Sequence, residues 1–494
     1  MSLFSISFWL VLSELAFNLS GYVIHAFLGR FLGPAEYGRL GIIITFSTMI
    51  VVLIGRGIPI AMSKYLSEIK KEDLPQKAPE IKNLALWEQL KIALILTAVY
   101  WLLSPVFAFL LKDASLKPLF QLSSLVVLTF SLASFFVYYF NGIEFFGRQA
   151  GLKLARALFR AGLVIGLGFF FRVEGAIWGQ VLAPLFVFLL SLILDPFKTR
   201  KSSCSRLNPT EKKELKSKLL RFAWPVTLFL VFYELMISID LYLVKALLQD
   251  DRQAGIYNAA LTVGRLPYYA FYFLTFLILP KISKAIFLHD KKSAQKIMKN
   301  LFRFLIFLLL PTIALTSFFA PSLVEFFYGP AYAAAARPMS LLAWGVGFLT
   351  VFHILVSALN GSGRNRVPMW LAFGGMLVNA GLNFIFIQKW GLLGSAWATT
   401  LTAFLTMGLA VFYTQKKICF FFNGRVFVKG FLVLIPLLFI SRLLFFQDKF
   451  LFIPFSLIFL TVYLLALFAW GEIKKKDWQL LLEKKKSSTD SEML

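Results

Sequence analysis

The chain has 494 residues, of which 59% are hydrophobic and only 15% charged, with 56 Phe. A soluble protein of this length could not bury so much apolar side chain, so a soluble fold is excluded. The net charge of +26 would suggest nucleic acid in a soluble protein, but here the basic residues fall between apolar runs, as the positive-inside rule expects, and no nucleic-acid partner is implied.

Apolar runs near 20 residues recur from end to end and predict fourteen transmembrane helices, an all-α polytopic membrane protein. Six run near 4–28, 40–62, 88–111, 118–140, 151–171 and 175–195. Six more run near 219–247, 255–279, 304–328, 338–359, 368–387 and 393–413, and the last two near 427–446 and 451–471. The expected organisation is an N-terminal six-helix lobe (1–196), a basic linker (197–218), a C-terminal six-helix lobe (219–415), helices 13 and 14 (416–472) and a basic tail (473–494). The opening "MSLFSISFWLVLSELAF" lacks a basic start and reads as a retained first span. Lys and Arg concentrate in "KYLSEIKKEDLPQKAPEIK", "KTRKSSCSRLNPTEKKELKSKLLR", "KISKAIFLHDKKSAQKIMKNLFR" and the tail, which places those segments and both termini in the cytoplasm. The longest of them are expected to lie on anionic lipid. Cys204 and Cys419 fall on the same side, so no disulfide is implied.

The chain repeats itself. Asn141-Gly142 returns as Asn360-Gly361, and Gly175-Ala176-Ile177-Trp178 as Gly394-Ser395-Ala396-Trp397, both 219 positions on. Gly38 and Lys64 return as Gly255 and Lys281 after 217, and Pro105 as Pro321 after 216. A near-constant offset across six spans implies two parallel six-helix halves related about the membrane normal. Transporters so built hold substrate between halves that rock against each other.

Charge inside a membrane is costly and should be paired or face water. Arg56, between two glycines in span 2, faces a central cavity or forms a structural ion pair. Arg265 in span 8, the repeat partner of span 2, either faces the same cavity or pairs with an acid of span 7. Two arginines on one cavity would suit a pyrophosphate. Glu14, Asn18 and His25 share one face of span 1 and predict a cavity lining. On span 7, Glu234 and Lys245 share a face while Asp240 points elsewhere; these acids either balance the arginines or bind a coupling cation. Glu325 and His353 carry weaker signals, and Asn379 and Asn383 are spaced to hold neighbouring helices together. No P-loop, Cys/His cluster or large catalytic loop is present, which argues against ATP drive, a zinc site and enzyme activity.

The stretches 29–68 and 239–284, with the Leu32–Gly38 turn and the Gly255-Ile256-Tyr257 opening, resemble the polysaccharide-biosynthesis transporters. These are oligosaccharide-lipid flippases of the superfamily that also holds the multidrug exporters. The resemblance implies translocation of an undecaprenyl-pyrophosphate-linked oligosaccharide across the inner membrane by a single chain. Arg56 and Arg265 would hold the pyrophosphate, with Glu14, Asn18, His25, Glu234, Asp240 and Lys245 lining the site and helices 13 and 14 guiding the polyprenyl tail. It implies no cofactor, coupling to a proton or sodium gradient or the membrane potential, and a glycan polymerase or glycosyltransferases as neighbours. A lipid II flippase, a cation-coupled drug exporter and a non-transporting assembly scaffold are the alternatives. The essential arginines on spans 2 and 8 match those of lipid II flippases, but His25 and Arg30 stand where those carry a further arginine in span 1.

Overall fold

The computed structural model describes residues 3–69, 72–197, 228–271, 291–364, 366–418, 424–444 and 452–470, and every regular element among them is helical. Most of the basic linker and the whole tail, Cys204, Cys419, Lys281 and the side chain of Arg56 lie outside the described residues. The first half contains α1 (Leu3–Ser67), α2 (Leu74–Leu110), α3 (Lys117–Gly142) and α4 (Phe146–Leu194). The second contains helical backbone over 228–236, then α5 (Ile239–Leu248), α6 (Asp251–Gly264), α7 (Leu266–Phe271), α8 (Lys291–Phe318), α9 (Ala320–Tyr328), α10 (Ala336–Gly361) and α11 (Arg366–Lys417). Two further helices follow, α12 (Gly424–Leu444) and α13 (Phe452–Ala469).

Seven helices among the described residues are long and apolar enough to cross a membrane. In hydrocarbon a backbone must satisfy its own hydrogen bonds, which is why these apolar runs are helical without interruption by loops. Large apolar side chains face outward along them, such as Phe109 and Phe170 at 80% and 74% exposure, a surface that only lipid can cover.

Three helices are bent pairs. The 65 residues of α1 would make a straight rod of about 98 Å, three times the hydrocarbon thickness of about 30 Å. The chain folds back at Gly33 (φ 75°), and His25 of one arm reaches the Tyr37 hydroxyl of the other at 2.9 Å. In α4 the reversal is at Phe171–Arg172 and in α11 at Gly391. Arg172 (φ 52°, ψ −132°) and Gly391 (φ 57°, ψ −133°) share one conformation and stand 219 residues apart. The Gly-Ala-Ile-Trp repeat explains the tightness of these hairpins. A β-carbon at Gly175 would overlap the Leu167 carbonyl, and one at Gly394 the Phe386 carbonyl, contacts that are themselves related by 219.

The other repeated glycine joins the halves. A β-carbon at Gly38 would overlap the Asp251 carbonyl, and one at Gly255 the Pro34 carbonyl. Three residues on, Gly41 lies against the side chain of Asn258, its own counterpart at the 217 offset. Reciprocal contact between equivalent residues is what a local two-fold axis between the second arm of α1 and α6 requires.

Candidate functional site

A cavity of about 460 Å³ opens between the arms of α1, with α3, α4, α6 and the segment before α5 completing its wall. From span 1 it receives Glu14, Asn18, Tyr22 and His25; from the second half it receives Glu234, Asn258, Thr262 and Arg265. The shared face predicted for span 1 therefore lines one wall, over three helical turns or about 16 Å. Arg265 follows the end of α6 and donates from Nη2 to the Ile237 carbonyl at 3.0 Å. It takes a backbone acceptor of span 7 rather than an acid.

The sequence reading missed the most cationic wall. Lys153, Arg156 and Arg160 of α4 all line the cavity. Lys153 is neutralised by Glu14 at 2.9 Å. The guanidinium carbon of Arg156 lies 4.1 Å from the Phe17 ring centre and 5.3 Å from that of Phe130, and Arg160 lies 5.1 Å from Phe17. Arg156 Nε is buried without a hydrogen-bond partner. Their spacing of three and four was the available signal, since it puts all three on one helix face. Lys153 and Arg156, close to Arg148 at the end of their span, look like ordinary topology charges, whereas Arg160 lies at mid-span.

Two predicted lining residues lie elsewhere. Asp240 is fully buried and accepts from Tyr257 and Thr399 hydroxyls, both at 2.9 Å, and from the Leu241 amide at 2.8 Å. This network continues through Asn379, which donates to the Met236 carbonyl at 2.6 Å, and Asn383, which accepts from Ser395 at 2.6 Å. The two asparagines do tie neighbouring helices, as their spacing suggested. Lys245 lies 2.8 Å from Asp113 and also pairs with Asp251. The shared face of Glu234 and Lys245 fails because span 7 is not one helix. It turns at Ile237–Ser238, where Ser238 has φ −131°, and the helical phase is lost. His353 packs between the rings of Tyr233 and Tyr268, outside the cavity lining.

Lys245 belongs to a seal between the halves. Asp113 and Arg39 come from the first half, Lys245 and Asp251 from the second, and Arg39 Nε meets Asp251 at 2.6 Å. Beside this quartet, Tyr37 bonds Tyr328 at 2.9 Å, Tyr332 donates to the Gly29 carbonyl at 2.7 Å, and Arg30 caps the carbonyl end of α9 through Phe326 and Phe327. Cations favour that helix end. His25 both lines the cavity and holds Tyr37 of the seal. Among the described residues no group of three or more His, Cys, Asp or Glu side chains could hold a metal.

The family model described as polysaccharide biosynthesis protein matches residues 6–286, and that described as MatE matches 225–385. An uncharacterized membrane protein of Methanocaldococcus jannaschii is 23% identical over 83% of this chain and 98% of its own length. A second one from that organism is 26% identical over 37% of each chain. A solved structure of the lipid II flippase MurJ, in an inward closed conformation, superposes with a TM-score of 0.74 at 17% identity, over 95% of this chain and 99% of that one; this likeness establishes a shared fold. The chain belongs to the polysaccharide biosynthesis protein family.

Proposed function

We propose that the protein is a flippase that carries the anionic, sugar-bearing headgroup of a polyprenyl-pyrophosphate glycolipid across the membrane by alternating access. The observation that carries this reading is the cavity itself, where Arg156, Arg160 and Arg265 converge from both halves. Among the described residues none of the three has a carboxylate within 4.0 Å. A pocket for cationic drugs would need the opposite sign. Sugars and phosphate cannot cross hydrocarbon unaided, so a polar route closed at one end at a time is required.

On this reading the lysine-rich connections and both termini lie in the cytoplasm, as the positive-inside rule favours, and the other end, bearing the sealed quartet, faces outward. The cavity then receives its headgroup from the cytoplasm and the seal opens to release it. Polar contacts suit such a seal, because each contributes little net energy and breaks reversibly. Glu14, Glu234 and Asp240 are the acids available for coupling to a proton or sodium gradient. A glycan polymerase or glycosyltransferases would take up or supply the cargo.

The test is reconstitution into proteoliposomes with a polyprenyl-pyrophosphate oligosaccharide whose sugar a lectin can reach only after flipping. Sugar exposure by the wild type, lost in Arg265→Gln, supports the proposal. Ethidium transport with no glycolipid flipping at any imposed ion gradient would move the assignment to drug export.

A further inference from the structure

Resting on that reading, we infer that Arg156 and Arg160 form a phosphoryl-binding clamp, carried by the first half alone and seated on Phe17. Both guanidinium carbons lie over one ring, at 4.1 and 5.1 Å from its centre, from successive turns of α4. Stacking occupies the face of a guanidinium and leaves its in-plane N–H edges for acceptors. Arg156 Nε is buried with no acceptor. Unpaired neighbouring cations in a cavity wall cost stability through desolvation and mutual repulsion, and an anion bridging both forks removes that cost. Of the other cations among the described residues of the cavity, Lys153 is paired with Glu14 and Arg265 has one N–H committed to the Ile237 carbonyl.

The repeat shows that the scaffold does not need these cations. At the 219 offset that relates Asn141 to Asn360, Leu167 to Phe386 and Arg172 to Gly391, Arg156 corresponds to Gly375 and Arg160 to Asn379. In the second half the same arm is packed shut. A β-carbon at Gly375 would lie 2.6 Å from Met236 Sδ, and Asn379 is buried in its bond to the Met236 carbonyl. One fold thus builds a closed arm in one half and, in the other, an arm whose Arg156 and Arg160 have no carboxylate within 4.0 Å among the described residues. Structural packing accounts for the first and leaves the second to a ligand. The acceptor that fits two adjacent forks is a tetrahedral oxyanion with several oxygens, here the pyrophosphate of the lipid carrier.

Full-length protein in detergent is titrated calorimetrically with two probes, inorganic pyrophosphate and farnesyl pyrophosphate. Wild type is expected to bind both, the prenylated probe more tightly. Arg156→Gln/Arg160→Gln should weaken both by about tenfold or more, and Arg156→Lys/Arg160→Lys, which keeps charge but not the fork, by about threefold or more. Arg337→Gln, a surface change outside the cavity, should stay within about twofold. If the Gln pair does not fold, the Lys pair decides. Unchanged binding by a folded double variant overturns the clamp and leaves the carrier reading standing. Binding of inorganic pyrophosphate alone overturns the lipid source. A wild type that binds neither probe but binds ethidium overturns the clamp together with the carrier reading.

Discussion

Replacing Asp113 by Asn removes one of the two carboxylates that hold Lys245 across the seal. Lys245 retains only 4% side-chain exposure and Asp113 15%, at 2.8 Å. Breaking a buried pair by removing one partner costs about 3–5 kcal/mol. Here Asp251 still pairs with Lys245 and the new amide oxygen still accepts, so we expect about 1–2 kcal/mol, which is roughly a 5- to 30-fold shift toward the unsealed state. The assay is pulsed electron–electron distance measurement between spin labels at Ala35 and Arg252, which are exposed on opposite halves beside the seal. Cys204 and Cys419 are replaced by Ser. The variant should gain a longer-distance population that wild type lacks. The pH dependence follows from the same carboxylate. Burial pushes Asp113 up, but the Lys245 ammonium and Ser115 more than offset it and hold it below its ordinary 3.8. A depressed carboxyl stabilises a contact above its unfolded value and loses that stabilisation as pH falls through the folded one. The wild-type distances should therefore be constant from about pH 5 to 8 and lengthen only below about pH 4. An unchanged distribution in the variant would refute the assignment of the quartet as an energetic seal.

Gly255→Val should force the same two labels apart, because even a β-carbon there meets the Pro34 backbone; a wild-type distance would mean that the axis contact yields freely. Arg172→Gly relieves a conformation that side chains avoid, at about 1–3 kcal/mol, and loses only the 56%-exposed pair with Glu36. Its melting temperature, followed by tryptophan fluorescence, should rise, and a fall would show that the ion pair outweighs the backbone. Asp240→Ala leaves the Tyr257 and Thr399 hydroxyls without their acceptor in the core and should lower stability by about 1–3 kcal/mol, read as a lower melting temperature.

The fold was legible where physics forces a sequence to repeat. Gly38, Gly175, Gly255 and Gly394 cannot carry a β-carbon, so the residue type records the contact. The wall of span 1 was legible too, since one unbroken helix keeps Glu14, Asn18 and His25 in phase. Span 7 was not. Its turn at Ile237–Ser238 has no Gly or Pro to announce it, and the faces assigned to Asp240 and Lys245 depended on a continuous helix. Lys153 and Arg156 were hidden by location, because a basic residue in the first turns of a span has two ordinary explanations and spacing alone does not choose between them; Arg160, at the middle of the span 151–171, met the same criterion of intramembrane charge as Arg56 and was missed.

The asymmetry of the cavity has a mechanical consequence. Equivalent positions of the two halves line it with different chemistry: Thr48 and Arg265 are related by the 217 offset and both face it. Yet the paired cations stand on α4 alone, with Gly375 and Asn379 opposite them in the repeat. When two related halves rock about their shared contact at Gly38 and Gly255, an anion held equally by both would resist every separation. An anion held by two arginines of one half and touched by one of the other can travel with the first while the second lets go. The seal obeys the same economy. Its ion pairs cross between halves at Lys245–Asp113 and Arg39–Asp251, and His25 connects it to the cavity through Tyr37. In the proposed carrier, a headgroup arriving beside His25 would therefore act on the Tyr37–Tyr328 bond without passing through the rest of either half.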